Sequence, residues 1–67
     1  MIALTVNGES RQFEEALSCQ QLLDRLDLSG KRVALERNGE IVPRSLHGAE
    51  MLCDGDTLEI VVAVGGG

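Results

Sequence analysis

The sequence of 67 residues holds one aromatic side chain (Phe13), one proline (Pro43), one histidine (His47) and two cysteines. Each scarcity excludes something. With nothing but Phe13 to stack on bases, a nucleic-acid module is disfavoured. Six Lys and Arg stand against eleven Asp and Glu, and the net charge of −5 has the wrong sign for a phosphate backbone or an anionic membrane. That surplus of acid suits solubility, or docking onto basic partner surfaces. Cys19 and Cys53 come without a CxxC pattern or paired histidines, so no metal site is implied. Both thiols are expected to be buried, and two reduced thiols fit a cytoplasmic protein. The longest unbroken apolar run, Ile60 to Val64, is far too short to cross a bilayer. Ile2 to Val6 runs straight into Asn7-Gly8 without a basic leader, so no signal peptide is expected. His47, in the polar connection from Ser45 to Glu50, is expected to be exposed loop decoration, because nothing pairs with it as nucleophile or orienting acid.

What remains is a single small domain. Its composition, 43% hydrophobic and 25% charged, is ordinary for a folded protein, and its length has room for one helix on one sheet. Ile2, Leu4 and Val6 alternate with Ala3 and Thr5, the period of a strand with one buried face. Asn7-Gly8 is a strong signal for a type I′ hairpin, since both central positions need positive φ. Strict two-residue pairing of the return, Glu9 to Phe13, sets Ile2 against Phe13, Leu4 against Arg11 and Val6 against Glu9. Either the charged stems cover a sheet edge or a bulge shifts the register.

The helix signals are stronger. Ser18 and Gln21 form a capping box, and Leu17 and Leu22 occupy the two positions of a hydrophobic staple. Cys19, Leu22, Leu23 and Leu26 make one apolar stripe. Gly30 sits where a left-handed C-terminal cap is expected, giving a helix of about three turns. Val33 to Arg37 alternates again, Asn38-Gly39 predicts a second tight turn, and the return through Val42 stops at Pro43. After a turn at Asp54-Gly55-Asp56, the run from Thr57 becomes apolar on both faces near its end, as a central strand does. The expected inward set is Ile2, Leu4, Val6, Leu22, Leu23, Leu26, Val33, Leu35, Leu58, Ile60 and Val62. The other sheet face has no second helix, and Ala3, Val61 and Ala63, edged by Thr5 and Glu59, are expected to form a small apolar docking patch there. The fold class is α+β, one helix on a mixed sheet of four or five strands.

The last strand leads into Gly65-Gly66-Gly67. Glycine tracts cost the most backbone entropy to order, so stability does not ask for them. Without side chains such a tail fits a passage in which any Cβ would collide. Residues 1–64 are therefore expected to be the domain and 65–67 a flexible tail, with Val61, Ala63, Val64, Gly65 and Gly66 facing a partner. Three extended residues project roughly 10 Å, enough to carry the carboxylate of Gly67 off the body.

Hairpin, capped helix, further strands and a last strand running into Gly66-Gly67 resemble the ubiquitin-like β-grasp fold. Within it, Val6-Asn7-Gly8-Glu9, Leu22-Leu23 through Leu28, Asn38 through Pro43-Arg44, and Asp54-Gly55-Asp56 are similar to the ThiS family, the sulfur carriers of thiamine biosynthesis. The resemblance implies a protein substrate rather than an enzyme, with no bound cofactor. A ThiF-type adenylyltransferase would use ATP to activate the Gly67 carboxylate. A donor such as a cysteine desulfurase would supply sulfur through a persulfide, and a ThiG-type thiazole synthase would take it from the resulting thiocarboxylate. The small subunit of molybdopterin synthase, a ubiquitin-like modifier and a plain interaction domain remain the alternatives.

Overall fold

The computed structural model of the protein describes residues 1–63. Its elements in chain order are β1 (Ile2–Val6), β2 (Glu9–Phe13), α1 (Cys19–Arg25), β3 (Val33–Arg37), β4 (Glu40–Ile41), a 3₁₀ turn over Arg44–Leu46, and β5 (Thr57–Val62). The strands form one sheet in the order β2-β1-β5-β3-β4. β5 is the central strand, parallel to β1 and antiparallel to β3. One helix packed against this mixed five-stranded sheet is the expected α+β arrangement.

Both Asn-Gly pairs form tight turns with positive φ throughout: Asn7 and Gly8 at 50° and 84°, Asn38 and Gly39 at 51° and 87°. The first turn holds strict register, pairing Ile2 with Phe13, Leu4 with Arg11 and Val6 with Glu9. No bulge intervenes. β2 is an edge strand, and Arg11 lies 3.6 Å from Glu9 in an exposed pair. Charge on this edge discourages pairing with another chain.

The helix begins as expected and ends early. Ser18 accepts from the Gln21 amide at 3.1 Å, and Gln21 Oε1 accepts from the Ser18 amide at 2.9 Å. Leu17 and Leu22, the staple pair, are both buried. The carbonyls of His47 and Glu50 accept the Gln20 and Cys19 amides, so the helix start is tied down by a segment far along the chain. At the other end the left-handed position is Asp27 (φ 61°), not Gly30. The Asp27 amide donates to the Asp24 carbonyl and the Leu28 amide to the Leu23 carbonyl, which is the Schellman arrangement. Gly30 takes its positive φ of 81° in the following turn, where the Lys31 amide donates to the Leu28 carbonyl. Leu28 packs half-buried against the core, so the chain turns after two helical turns rather than three in order to bury it.

The core comprises Leu4, Val6, Leu17, Cys19, Leu22, Leu23, Leu35, Val42, Leu52, Leu58 and Ile60, with Ile2, Phe13, Leu26, Leu28 and Val33 half-buried around it. Val62, expected inward, is 37% exposed. Seven helical residues cover about 10 Å, whereas the six of β5 extend for about 20 Å, so the helix leaves the strand's end bare. Val42 and Leu52 are core residues outside any regular pattern, and His47 is 4% exposed rather than a surface loop residue. Its Nε2 lies 3.1 Å from the Val42 carbonyl. A carbonyl only accepts, so Nε2 carries the hydrogen and the imidazole ties the 3₁₀ turn to the end of the β3–β4 hairpin. Cys53 is exposed, contrary to expectation, while Cys19 is fully buried; both are free.

Candidate functional site

β5 is the element that leads toward the glycines, and the surrounding groups are arranged to hold it. β1 pairs with it only at Thr5–Thr57 and Val6–Leu58. Past that point the side chain of Asn7 takes over. Its Oδ1 accepts from the Ile60 amide at 2.7 Å and its Nδ2 donates to the Ile60 carbonyl at 3.1 Å. Asn38 does the same work at the strand's start, where Oδ1 accepts from the Thr57 amide at 2.9 Å and its own amide donates to the Thr57 carbonyl at 2.8 Å. The two Asn-Gly turns therefore hold the central strand at its first residue and at Ile60. The Asn-Gly signal predicts the turns; the side-chain role depends on β5 lying beside both of them.

Beside Asn38 sits a second arrangement that local pattern does not announce. Asp56 is buried, and its Oδ2 accepts from Arg37 Nε and from the Cys53 amide, each at 2.8 Å. Oδ1 accepts from Asn38 Nδ2 at 3.1 Å. Burial pushes this carboxyl up, but the bonds from the Cys53 amide, Asn38 and Arg37 outweigh it and hold the group below the ordinary aspartate range. Arg37 also reaches Glu50 Oε2 at 3.1 Å and Cys53 Sγ at 3.5 Å. Burial lowers its pKa, and the bonds to Asp56 and Glu50 more than reverse that, so it is raised overall. A groove of about 330 Å³ opens in front of this cluster, lined by Arg37, Ile41, Val42, Pro43 and Leu46 among others. Its one cation is thus already committed to two carboxylates. This cluster pins the turn before β5.

At the other end of β5, Val61 is 64% exposed and Ala63 is exposed, with the Ala63 amide donating to the Arg32 carbonyl. Val64, Gly65, Gly66 and Gly67, the remaining predicted site residues, lie outside the described residues. The predicted apolar patch is divided. Parallel register puts Ala3 beside the Asp54-Gly55 turn, with the Gly55 amide donating to the Ala3 carbonyl. Val61 is six residues further along β5, about 20 Å away. Ala3 and Thr5 are half-buried. The exposed apolar surface is instead Val61, Ala63, Ala34 opposite Val61, and Ile41 at 74% exposure.

Among the described residues no group of three or more His, Cys, Asp and Glu is placed to hold a metal, and no helix is long and apolar enough to cross a membrane.

Comparison with known proteins agrees with this geometry. The model of the ThiS family matches residues 4–67. The sulfur carrier protein ThiS of Bacillus subtilis is 38% identical over 65 residues, covering 96% of this chain and 98% of that one. A thiazole synthase of Paramagnetospirillum magneticum is 45% identical over 64 residues, but the chain spans only 20% of that longer protein. The crystal structure of a thiamine biosynthesis protein (ThiS) from Geobacter metallireducens matches with a TM-score of 0.83 at 35% identity, covering 98% of this chain and 100% of that one. One helix on a mixed five-stranded sheet is the arrangement of a ubiquitin-like β-grasp, and the chain belongs to the ThiS family of sulfur carriers in thiamine biosynthesis.

Proposed function

We propose that the chain carries sulfur as a thiocarboxylate on Gly67, and that its body serves as the handle by which partners grip it. A carboxylate is a poor electrophile. An adenylyltransferase of the ThiF type joins it to AMP from ATP, releasing pyrophosphate, and so creates a good leaving group. The terminal sulfur of a cysteine persulfide, as a cysteine desulfurase supplies, then displaces AMP. A second thiol cleaves the resulting acyl disulfide, leaving the thiocarboxylate and a new disulfide. The chain is a protein substrate in these steps, it binds no cofactor of its own, and ATP belongs to the partner. The reducing cytoplasm suits both the persulfide chemistry and the free Cys19 and Cys53.

Thiazole synthase is the acceptor we favour over a molybdopterin acceptor or a lysine. Two longer proteins that contain a similar segment, from Paramagnetospirillum magneticum and Magnetococcus marinus, bear that name. Joining carrier and acceptor in one chain replaces a bimolecular encounter by an intramolecular one, which favours a donor that must meet its acceptor on every turnover. The observation that carries the reading is the family match, which runs through the last strand and the glycines to residue 67.

The test is the intact mass of the protein incubated with the adenylyltransferase, ATP and a persulfide donor. A gain equal to exchanging one oxygen for sulfur, lost when Gly67 is deleted, is the expected result. Unchanged mass together with silent ATP–pyrophosphate exchange points to a plain interaction domain instead. Adducts on lysine point to a modifier.

A further inference from the structure

The helix, the loop after it and the 3₁₀ turn enclose a small pocket of about 60 Å³, lined by Gln20, Leu28, Gly30, Lys31, Arg44 and His47 among others. Among the described residues no Asp or Glu lines it, although acids outnumber Lys and Arg by eleven to six in the chain. Lys31 and Arg44 are exposed and take part in no ion pair among the described residues. The one acid that touches a lining side chain there is Asp24, which accepts from Gln20 Nε2 at 3.1 Å. The third basic group is His47, buried and giving its Nε2 hydrogen to the Val42 carbonyl. In the neutral ring that leaves Nδ1 as a bare acceptor. Nδ1 has no partner among the described residues. None of their sealed side-chain nitrogens or oxygens is left unpaired, so this atom is open to solvent, and the pocket is where His47 opens.

Two cations and one lone pair together select a ligand. Lys31 and Arg44 repel a metal ion. An anion that carries no proton, such as sulfate, meets the Nδ1 lone pair with nothing to donate. Hydrogen phosphate satisfies all three groups: its P–OH donates to Nδ1, and its charged oxygens accept from the Lys31 ammonium and the Arg44 guanidinium. We propose that this pocket binds inorganic phosphate as its dianion, with the remaining proton held between a phosphate oxygen and His47 Nδ1. The size agrees. A water needs about 10–15 Å³, so a pocket of about 60 Å³ takes an ion of four oxygens and little more. Drug-sized ligands occupy pockets of about 300 Å³ and above. Bound phosphate ties the loop after α1 to the 3₁₀ turn, two segments distant in sequence. Lys31 adjoins Arg32, whose carbonyl accepts the Ala63 amide, so the ligand fastens the corner against which Ala63 is held. The inference is independent of the carrier reading.

The test is an NMR titration of the full chain and of Lys31→Gln and Arg44→Gln with sodium phosphate, sodium sulfate and AMP, at constant ionic strength and mildly alkaline pH. Phosphate and sulfate are then both dianions and differ in the proton, while the phosphate of AMP has lost its last one. Chemical shifts are read rather than melting temperatures, because phosphate and sulfate both stabilise proteins by exclusion from the surface. The amides of Gly30, Lys31, Arg44 and His47 and the ring nitrogens of His47 should shift and saturate, with half the change at about 1 mM phosphate. Sulfate and AMP should bind at least tenfold more weakly, and each variant should weaken phosphate about tenfold, as expected for loss of one charged hydrogen bond. Both replaced side chains are exposed, and an unaltered spectrum elsewhere verifies that the variants fold. Shifts that never saturate, or that persist undiminished in both variants, overturn the proposal. Sulfate binding as tightly as phosphate overturns the shared proton and the proposal with it. AMP binding more tightly than phosphate assigns the pocket to a nucleotide and overturns it as well.

Discussion

The side-chain amide of Asn7 hydrogen-bonds both backbone groups of Ile60, 53 residues away, at 2.7 and 3.1 Å. It stands in for a strand residue just where β1 stops, so the central strand keeps a partner after the strand beside it has turned back. A turn residue thereby supplies hydrogen-bond partners to the strand that precedes the glycines in sequence.

Asn7→Gly isolates that contact, because glycine accepts the positive φ of 50° while removing the amide. Two bonds to a partly buried backbone are lost, so stability should fall by about 1–2 kcal/mol. Hydrogen exchange at the Ile60 amide should accelerate more than at Leu35 or Leu58, read residue by residue by NMR. Uniform acceleration would mean the amide contributes nothing local.

Asp56 should govern acid stability. Its pKa is depressed in the folded protein, so its contribution is complete above its ordinary value of 3.8 and is lost as pH falls through the lower folded value. Asp56→Asn removes the charge facing Arg37, which is itself largely buried. The loss near neutral pH should be about 2–4 kcal/mol, shrinking below pH 3.8 as the unaltered protein protonates. Urea titrations at pH 7 and at about pH 2.5 give the two differences, and a gap that stays constant would refute the assignment.

The helix end offers an opposite pair of outcomes. Asp27→Gly relieves a non-glycine residue at φ 61° and should stabilise by about 0.5–1 kcal/mol. Gly30→Ala, at φ 81° with open space around the added carbon, should destabilise by about 1 kcal/mol from backbone strain alone. Denaturant midpoints should therefore move in opposite directions. Movement of both in one direction would return the cap to Gly30.

Gly66→Val tests the tail separately from the body. Activation by the adenylyltransferase should fall at least a hundredfold if the passage excludes a Cβ, while the melting temperature stays within about 1 °C if the glycines serve the partner and not the fold. Activation at the normal rate would end the narrow-passage explanation for the glycines.

The elements that could be read from the chain are those whose cause is local. Alternation of Ile2, Leu4 and Val6, the left-handed demand of Asn7-Gly8 and Asn38-Gly39, and the Ser18–Gln21 box act over two to four residues, and each forms as the sequence predicts. Tertiary structure decided what depends on neighbours distant in sequence. Leu28 could be buried only by ending the helix at Arg25, which moved the cap to Asp27. Val42, His47 and Leu52 became interior because the irregular segment folds under the helix start, and no periodicity marks such residues. Asp56 became a buried anion because β3 delivers Arg37 and Asn38 to it. Composition, spacing and turn chemistry determined a helix on a sheet, since those are short-range properties of the chain. The side-chain hold on β5 arose only when hydrogen bonding between remote strands fixed the register.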